Sequence, residues 1–479
     1  MVEAMVFQVT CAVAAALLCP WGAQRLVVLA AACAALRKPR LLSTVPSTSG
    51  REPSVTVQIP LYNEPSVCVR VVDAACSLSW PNLEIQILDD SDDQTTALTA
   101  DAVARWRASG VQVVHVRRGS RAGFKAGALG HGLKLARGEY IAIFDADFVP
   151  PTDFLQRAVP ALEESGADMA QARWGHLNRD ASWLTRAQAA LLDAHFSVEQ
   201  FGRAAAGRFF GFNGTAGVWR RRAIDDAGGW DARTLTEDLD LSLRAWFAGS
   251  RFIYLEDLVV PAELPTSIGS LRIQQHRWAK GAMQTARVRM RDLINLDRRP
   301  AEKLDIAMKL TQNLTFVLLG LLVLAVPLAA IERAGPSSLF GIEYIAVALA
   351  ALPAFASVVF ALLRCGRSPT QALVDALLAA GLAAALSAHA ALAAMAGALG
   401  VGSNIFRRTP KTGGAGGRPL RRGIDALVLF EGAEGAVHVG VALVLGLVGT
   451  TPYLLLCGSA LLSIVVLSLV EAFPRGAQR

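Results

Sequence analysis

The chain is short of charge and of paired sulfur. Only 18% of its 479 residues are Asp, Glu, Lys or Arg, while 53% are hydrophobic, a balance more apolar than that of ordinary soluble proteins. Its seven cysteines, Cys11, Cys19, Cys33, Cys68, Cys76, Cys365 and Cys457, contain no CxxC pair and several lie in apolar runs. That argues against a disulfide framework and against a zinc site. No Ser/His/Asp or Cys/His pattern points to an enzyme nucleophile. The net charge is +7, but no nucleic-acid-binding motif accompanies it, so nucleic acid is not expected as a partner. No basic region precedes the first apolar run and no clear small-residue cleavage site follows it, which disfavours a secretory signal peptide.

What is present is a set of apolar runs around a charged middle. The positive residues cluster beside those runs: Arg37, Lys38 and Arg40; Arg287, Arg289, Arg291, Arg298, Arg299 and Lys303; Arg407, Arg408, Lys411, Arg418, Arg421 and Arg422. This is the bias of cytoplasmic flanks, and it places the N-terminus outside. Residues 5–36 can supply one spanning helix, and 310–332, 341–363, 426–449 and 451–472 four more. The Ala-rich stretch 371–400 carries Asp375, Ser387 and His389. A span there would put the basic loop 403–422 outside, so a helix at the cytoplasmic interface is expected. Glu431 and Glu434 share a helix face in the fourth of these spans. They fit either a polar conduit or a helix end in the headgroup zone.

The middle alternates strand and helix patterns: strands at 55–59, 83–88, 111–116 and 140–144, helices at 66–78, 95–108 and 122–136. Shorter strands are expected at 209–217 and 252–255, and amphipathic helices over 265–300, along the membrane surface. Such βαβα order predicts a parallel, doubly wound sheet with its ligand beyond the carboxyl ends of the strands. Tyr62, Asn63, Glu64, Asp89, Asp90, Asp145 and Asp147 fall at those ends.

Each cluster has chemistry of its own. Asp145 and Asp147 follow an apolar strand one residue apart; strand alternation would put them on one face, where two carboxylates can hold a hard divalent cation. Lys125, in Arg121-Ala122-Gly123-Phe124-Lys125, opens a helix whose N-terminus can receive a diphosphate. Asp238 in Thr236-Glu237-Asp238 is a candidate general base, and the same triplet reads as a helix start capped by Thr236. Gln274, Arg277 and Trp278 share a helix face; Arg277 can bind phosphate and Trp278 can lie against a pyranose ring.

Taken in order, Asp89-Asp90, Asp145-Ala146-Asp147, Thr236-Glu237-Asp238 and Gln274-Gln275-His276-Arg277-Trp278 resemble the D, DxD, TED, QxxRW series of processive family-2 glycosyltransferases. That group includes bacterial cellulose synthase and the cellulose-synthase-like mannan synthases. The stretch Phe209–Arg220 and Gln171-Ala172-Arg173-Trp174 look most like the mannan/glucomannan branch. The resemblance implies a GT-A-type, Rossmann-like α/β cytosolic domain inserted between transmembrane α-helices.

It further implies that Tyr62, Asn63 and Glu64 cup a nucleotide base and that Asp90 contacts base and ribose. Asp145 and Asp147 would hold Mg2+ or Mn2+, with Asp147 also acting in catalysis. Asp238 would be the base, and Gln274, Arg277 and Trp278 would receive acceptor sugar and pyrophosphate. The implied partners are a nucleotide-sugar donor, GDP-mannose or UDP-glucose, a polysaccharide acceptor and the bilayer of the plasma (inner) membrane. A polymer-handling partner beyond that membrane stays open. The implied product is β-1,4-mannan, glucomannan or β-glucan, secreted through the membrane; a one-sugar transfer to a lipid is the alternative. Phe406-Arg407-Arg408-Thr409-Pro410-Lys411 resembles in part an FxVTxK gating loop, with Arg408 in place of Val and Gly413, Gly414, Gly416 and Gly417 beyond it. No PilZ-like module is recognisable after the last span. The expected organisation is an N-terminal helix and flank (1–40), a linker (41–54), the transferase domain (55–264) and interface helices (265–305). Two spans (306–365), an interfacial helix with the basic loop (366–425) and two final spans (426–479) complete it.

Overall fold

The computed structural model describes residues 6–37, 52–333, 342–406, 408–411, 426–445 and 451–472. Residues 41–51 of the expected linker lie outside the described residues, as do Lys38, Arg40, Arg407, Arg418, Arg421, Arg422 and Asp425, and the glycines Gly413, Gly414, Gly416 and Gly417.

The first element is α1 (Val6–Leu36). The middle of the chain runs β1 (Val55–Leu61), α2 (Cys68–Cys76), β2 (Leu83–Asp89), α3 (Thr95–Ala108), β3 (Val113–Arg117), α4 (Phe124–Leu135) and β4 (Tyr140–Ile143). It continues with α5 (Phe154–Ser165), β5 (Met169–His176) and α6 (Trp183–Ala194). A π-helical turn, His195–Gln200, then leads into α7 (Phe201–Ala205). Next come β6 (Gly217–Arg220), α8 (Arg221–Asp226), α9 (Glu237–Phe247) and β7 (Phe252–Ala262). The remainder is helical: α10 (Ile268–Asn295), α11 (Pro300–Leu310), α12 (Leu314–Arg333), α13 (Ile342–Arg364), α14 (Pro369–Ala385), α15 (Ser387–Leu399), α16 (Ala426–Leu445) and α17 (Thr451–Ala472).

The seven strands among the described residues make one sheet, ordered β3-β2-β1-β4-β6-β5-β7. It is mixed, not wholly parallel as expected, because β6 runs antiparallel to both β4 and β5. Alternation sorts the side chains. Val55, Val57, Ile59 and Leu61 of β1 bury against Val71 and Val72 of α2 and Phe154 of α5. On the opposite face Leu88, Ile141 and Ile143 pack with Leu129 of α4, Trp219 of β6 and Leu241 of α9. Each such side chain contributes about 1.5–3 kcal/mol by leaving water. The chain steps outward from β1 to β2 and β3, then returns to place β4 on the other side of β1, so a crevice opens beyond the carboxyl ends of β1 and β4.

Three expectations change. The stretch 209–216 is not a strand: Gly214 (φ 79°) and Ala216 (φ 54°) lie in the left-handed region, which an extended strand cannot take. Residues 268–295 form one helix, not several, and Arg289 turns inward to Asp240 (2.6 Å) and Asp231 (3.3 Å) rather than marking a membrane flank. The stretch 371–400 is two helices bent by 54° at Leu386. α14 packs on α6 and α17, and α15 on α10 and α12.

Among the described residues, four helices are long and apolar enough to cross a membrane: Val6–Leu36, Leu314–Ile331, Ala426–Leu443 and Leu454–Ala472; the bent pair makes a fifth if it is one span. The span expected at 341–363 is not among these four: α13 occupies that stretch, and Ala351–Arg364 counts as a shorter apolar helix. Leu429 and Leu443 of α16 and Val470 of α17 point outward, an apolar surface suited to lipid.

α1 is seated on the domain by close backbone contact. A Cβ on Gly202 of α7 would lie 2.4 Å from the Val28 carbonyl oxygen. Gly202→Ala is therefore expected to destabilise the folded protein by about 1–3 kcal/mol through overpacking. Thermal unfolding of the detergent-solubilised protein checks this.

Candidate active site

The strand-end loops and α10 enclose an open cavity of about 1200 Å³, mouth included. Tyr62, Glu64, Asp90, Lys125, Asp145, Asp147, Asp238, Gln274, Arg277 and Trp278 all line it. Asn63 does not. It sits at φ 54°, its backbone N–H donates to Ser91 Oγ (2.8 Å) and its side-chain amide donates to Asp92 Oδ1 (2.6 Å). Its work is to hold the β1 loop to the β2 loop.

The two aspartates after β2 divide their roles. Asp89 is buried and faces away, with Oδ2 2.8 Å from His115 Nε2 and Oδ1 accepting from Ser91 N–H. Burial alone would raise its carboxyl, but the His115 and Ser91 bonds hold it below the usual range. Asp90 faces the cavity, and Arg118 grips both its oxygens, Nε to Oδ1 at 2.7 Å and Nη2 to Oδ2 at 2.5 Å. Nearby, the Arg121 guanidinium lies 3.3 Å from the centroid of the Tyr62 ring, a cation–π contact.

Asp145 and Asp147 stand past the end of β4, not on it. Phe148 N–H closes a turn on the Asp145 carbonyl (3.1 Å), so turn geometry rather than strand alternation brings the pair to the cavity. Each is matched to an ammonium. Lys125 Nζ is 2.6 Å from Asp145 Oδ1, and Lys411 Nζ is 2.6 Å from Asp147 Oδ2. Lys125 also donates to the Gly214 carbonyl at 3.0 Å and lies 3.6 Å from Glu237 Oε1. Burial opposes its charge, yet Asp145 and Glu237 keep its pKa above the ordinary value. Glu64 is pushed up to about 8, first by burial and then by the Asp147 charge. Among the described residues no group of three or more His, Cys, Asp or Glu side chains could hold a metal ion.

Asp238 lies in the first turn of α9. Thr236 precedes that helix without capping it; its hydroxyl pairs with Thr285 of α10 at 3.1 Å. Burial, then the adjacent Glu237, push the Asp238 carboxyl up to about 7, against the opposing pull of Lys125 and Arg277. From α10, Arg277 lies over the Phe406 ring at 4.7 Å, and its Nε has no hydrogen-bond partner among the described residues. Phe406, Arg408, Thr409 and Lys411 form the opposite rim. Sequence reasoning passed over several lining residues: Trp174, His176, Asn213, Glu237 and Glu263. Trp174 and Asn213 lie in stretches that stood out by resemblance, but nothing in their spacing marked them as site residues.

Residues 53–281 match the family model described as Glycosyltransferase like family 2. This segment is a family-2 glycosyltransferase domain. Glucomannan 4-beta-mannosyltransferase 2 of Arabidopsis thaliana is 46% identical over 253 residues, covering 51% of this chain and 47% of that protein. Probable glucomannan 4-beta-mannosyltransferase 11 of Oryza sativa subsp. japonica is 48% identical over 236 residues, covering 48% and 41%. The chain thus spans less than half the length of these curated relatives. A solved mannosyltransferase of Pyrobaculum calidifontis, in complex with GDP-Man and Mn2+, aligns at a TM-score of 0.49 and 22% identity, over 81% of this chain and 98% of that one.

The glycosyltransferase domain receives α10 from below, anchored by the apolar half. Ser267 caps it, accepting from Ser270 N–H at 3.1 Å. The Glu471 carboxylate of α17 accepts from Ile268 N–H (2.7 Å) and Gly269 N–H (3.1 Å). One turn on, buried Arg272 pairs with buried Glu431 of α16, while the Arg272 carbonyl meets His389 of α15 at 2.9 Å. Glu431 is therefore engaged with the helix that carries Gln274, Arg277 and Trp278. Glu431→Ala strands a buried guanidinium and is expected to cost about 3–5 kcal/mol. The Arg272→Met/Glu431→Leu double variant should recover most of that stability, as read by denaturation in lipid nanodiscs.

Proposed function

We propose that this chain is a membrane-embedded, inverting mannosyltransferase that moves mannose from GDP-mannose onto a growing β-linked mannan or glucomannan. The observation that carries the proposal is the convergence of Asp145, Asp147, Asp238 and Trp278 on one cavity. The similarity to glucomannan 4-beta-mannosyltransferases supports mannose as the sugar.

The roles follow from charge and placement. Tyr62, Asp90 and the Arg118 and Arg121 guanidiniums beside them suit the nucleoside end of the donor. Lys125 and Arg277 suit its diphosphate. The acceptor ring lies against Trp278. Asp238 takes the proton of the acceptor hydroxyl as that oxygen attacks the anomeric carbon from the face opposite the diphosphate, so the configuration inverts in one displacement. Asp145 and Asp147 form an all-oxygen pair, each paired with an ammonium, and the Glu64 carboxyl beside them is pushed up to about 8, first by burial and then by the Asp147 charge. Two carboxylates so placed suit a hard dication, which would take the place of the ammonium groups now beside them. Mg2+ or Mn2+ held there would neutralise the departing diphosphate. The domain is assigned to the cytoplasmic side of the plasma (inner) membrane, with the polymer leaving through the apolar half.

The test is purified full chain in nanodiscs given GDP-mannose or UDP-glucose, an oligosaccharide primer and Mn2+, with released nucleotide and product length both measured. A ladder made from GDP-mannose is expected; a single added sugar, or no nucleotide release, would sink the proposal. Asp238→Asn should lower turnover by roughly 10²–10⁴-fold. Because Asp238 acts only when ionised and its carboxyl sits near 7, wild-type turnover should rise with pH through about 7 and level off above it. Removing the Lys411 ammonium from Asp147 (2.6 Å), as in Lys411→Ala, should tighten Mn2+ binding in calorimetry done without substrate.

A further inference from the structure

A second recess, of about 460 Å³ with its mouth, lies between α1, the π-helical turn, the entry to α12 and α13. It shares no lining residue with the active-site cavity. Two observations set its depth. The apolar span Leu314–Ile331 begins two residues after Gln312, which lines the recess. The Trp21 indole, also in the lining, donates to the Met308 carbonyl at 3.0 Å, as befits an aromatic residue at a membrane boundary. A turn or two further along the spans, Leu17 of α1 and Leu321 of α12 point outward. The recess therefore sits at the foot of an apolar wall.

The charges around it do not balance. Glu199 pairs with Lys309 and lies 3.4 Å from His195 Nδ1 and 3.6 Å from Arg203 Nε. Burial would raise its carboxyl, yet Lys309, His195 and Arg203 hold it well below the usual range. Asp305 is shared by Arg203 and Arg208, each at 2.9 Å, and accepts from Gln24 of α1 at 2.9 Å. Arg203, Arg208 and Lys309 thus already outnumber Glu199 and Asp305. Burial lowers the Lys309 ammonium, and the nearby Arg203 and Arg25 charges add to that against Glu199. Arg25 is exposed and lines the recess, and it has no hydrogen-bond or ion-pair partner among the described residues. The Gln312 side-chain amide is likewise unspent among the described residues. A free guanidinium and a free amide, in a positive field at the foot of an apolar wall, match a phosphate diester that carries acyl chains.

We propose that this recess holds the headgroup phosphate of an anionic phospholipid. Arg25 donates to the phosphate oxygens, Gln312 stands beside it, and the acyl chains run along the outward faces of α1 and α12. The proposal rests on the membrane-embedded reading above and not on the sugar transferred.

The experiment titrates phosphatidylglycerol onto the full chain in phosphatidylcholine nanodiscs, with retained lipid counted by native mass spectrometry. Arg25→Ala should weaken phosphatidylglycerol binding roughly tenfold or more, the range of a charge-assisted hydrogen bond, and Gln312→Ala about threefold. Arg25→Lys should recover part of the loss. Arg298→Ala removes an exposed cation outside the recess and should leave binding unchanged. Because Arg25 has no protein partner, its alanine variant should match the wild-type Tm in phosphatidylcholine alone and lack only the rise that phosphatidylglycerol brings. Undiminished binding in Arg25→Ala overturns the site. Equal losses in Arg25→Ala and Arg298→Ala overturn it too, since they mean attraction by general surface charge. Inorganic phosphate titrated in phosphatidylcholine should give no Arg25-dependent heat; if it does, the recess takes free phosphate and the lipid assignment falls. None of these readouts needs turnover. A failed sugar-transfer assay therefore leaves the site standing, and failed lipid binding leaves the transferase reading standing.

Discussion

Like-charge repulsion sets the terms for this molecule. Glu64, Asp145, Asp147, Glu237 and Asp238 are folded into one cavity, and carboxylates so crowded cannot all stay ionised unless cations stand among them. Lys125 and Lys411 supply that charge, from a helix start in the domain and from the segment after α15. The protein thus closes a negative cleft with its own ammonium groups, and a ligand that brings both phosphate and metal exchanges charge with the cleft rather than adding to it.

The sheet makes that crowding possible. Loops after β1, β2 and β4 meet where the strand order reverses, and α9 brings its first turn, α10 its second and third, to the same place. Much of this could be read in advance because strand ends carry their own signal: an apolar run that stops at Asp89-Asp90 or Asp145-Ala146-Asp147 states both element and exit. The family likeness then assigned the widely separated clusters to one place, and ten of the eleven proposed site residues line one cavity. Asn63 is the exception, since its polar groups are spent on Ser91 and Asp92.

What escaped the sequence has physical causes. The antiparallel direction of β6 depends on pairing between residues far apart in the chain, and a four-residue strand carries little periodic signal of its own. The 209–216 loop looks like a strand because Phe209, Phe210 and Phe212 are apolar, yet backbone at Gly214 and Ala216 turns left-handed. Apolarity alone cannot separate one helix from two, so the bend at Leu386 was invisible. Glu431 read as a wall residue of a conduit or a headgroup neighbour, and only the fold discloses Arg272 as its partner.

That partnership ties the lipid-facing half to the chemistry. Three apolar-half helices, α15, α16 and α17, fasten the opening turns of α10 through His389, Glu431 and Glu471, and Gln274 begins two residues after Arg272. The contacts that hold α10 therefore reach beyond the family match, which ends at residue 281. A fragment excised at residue 281 would keep every acidic residue of the cleft and lose His389, Glu431 and Glu471, the groups that moor the helix at its floor.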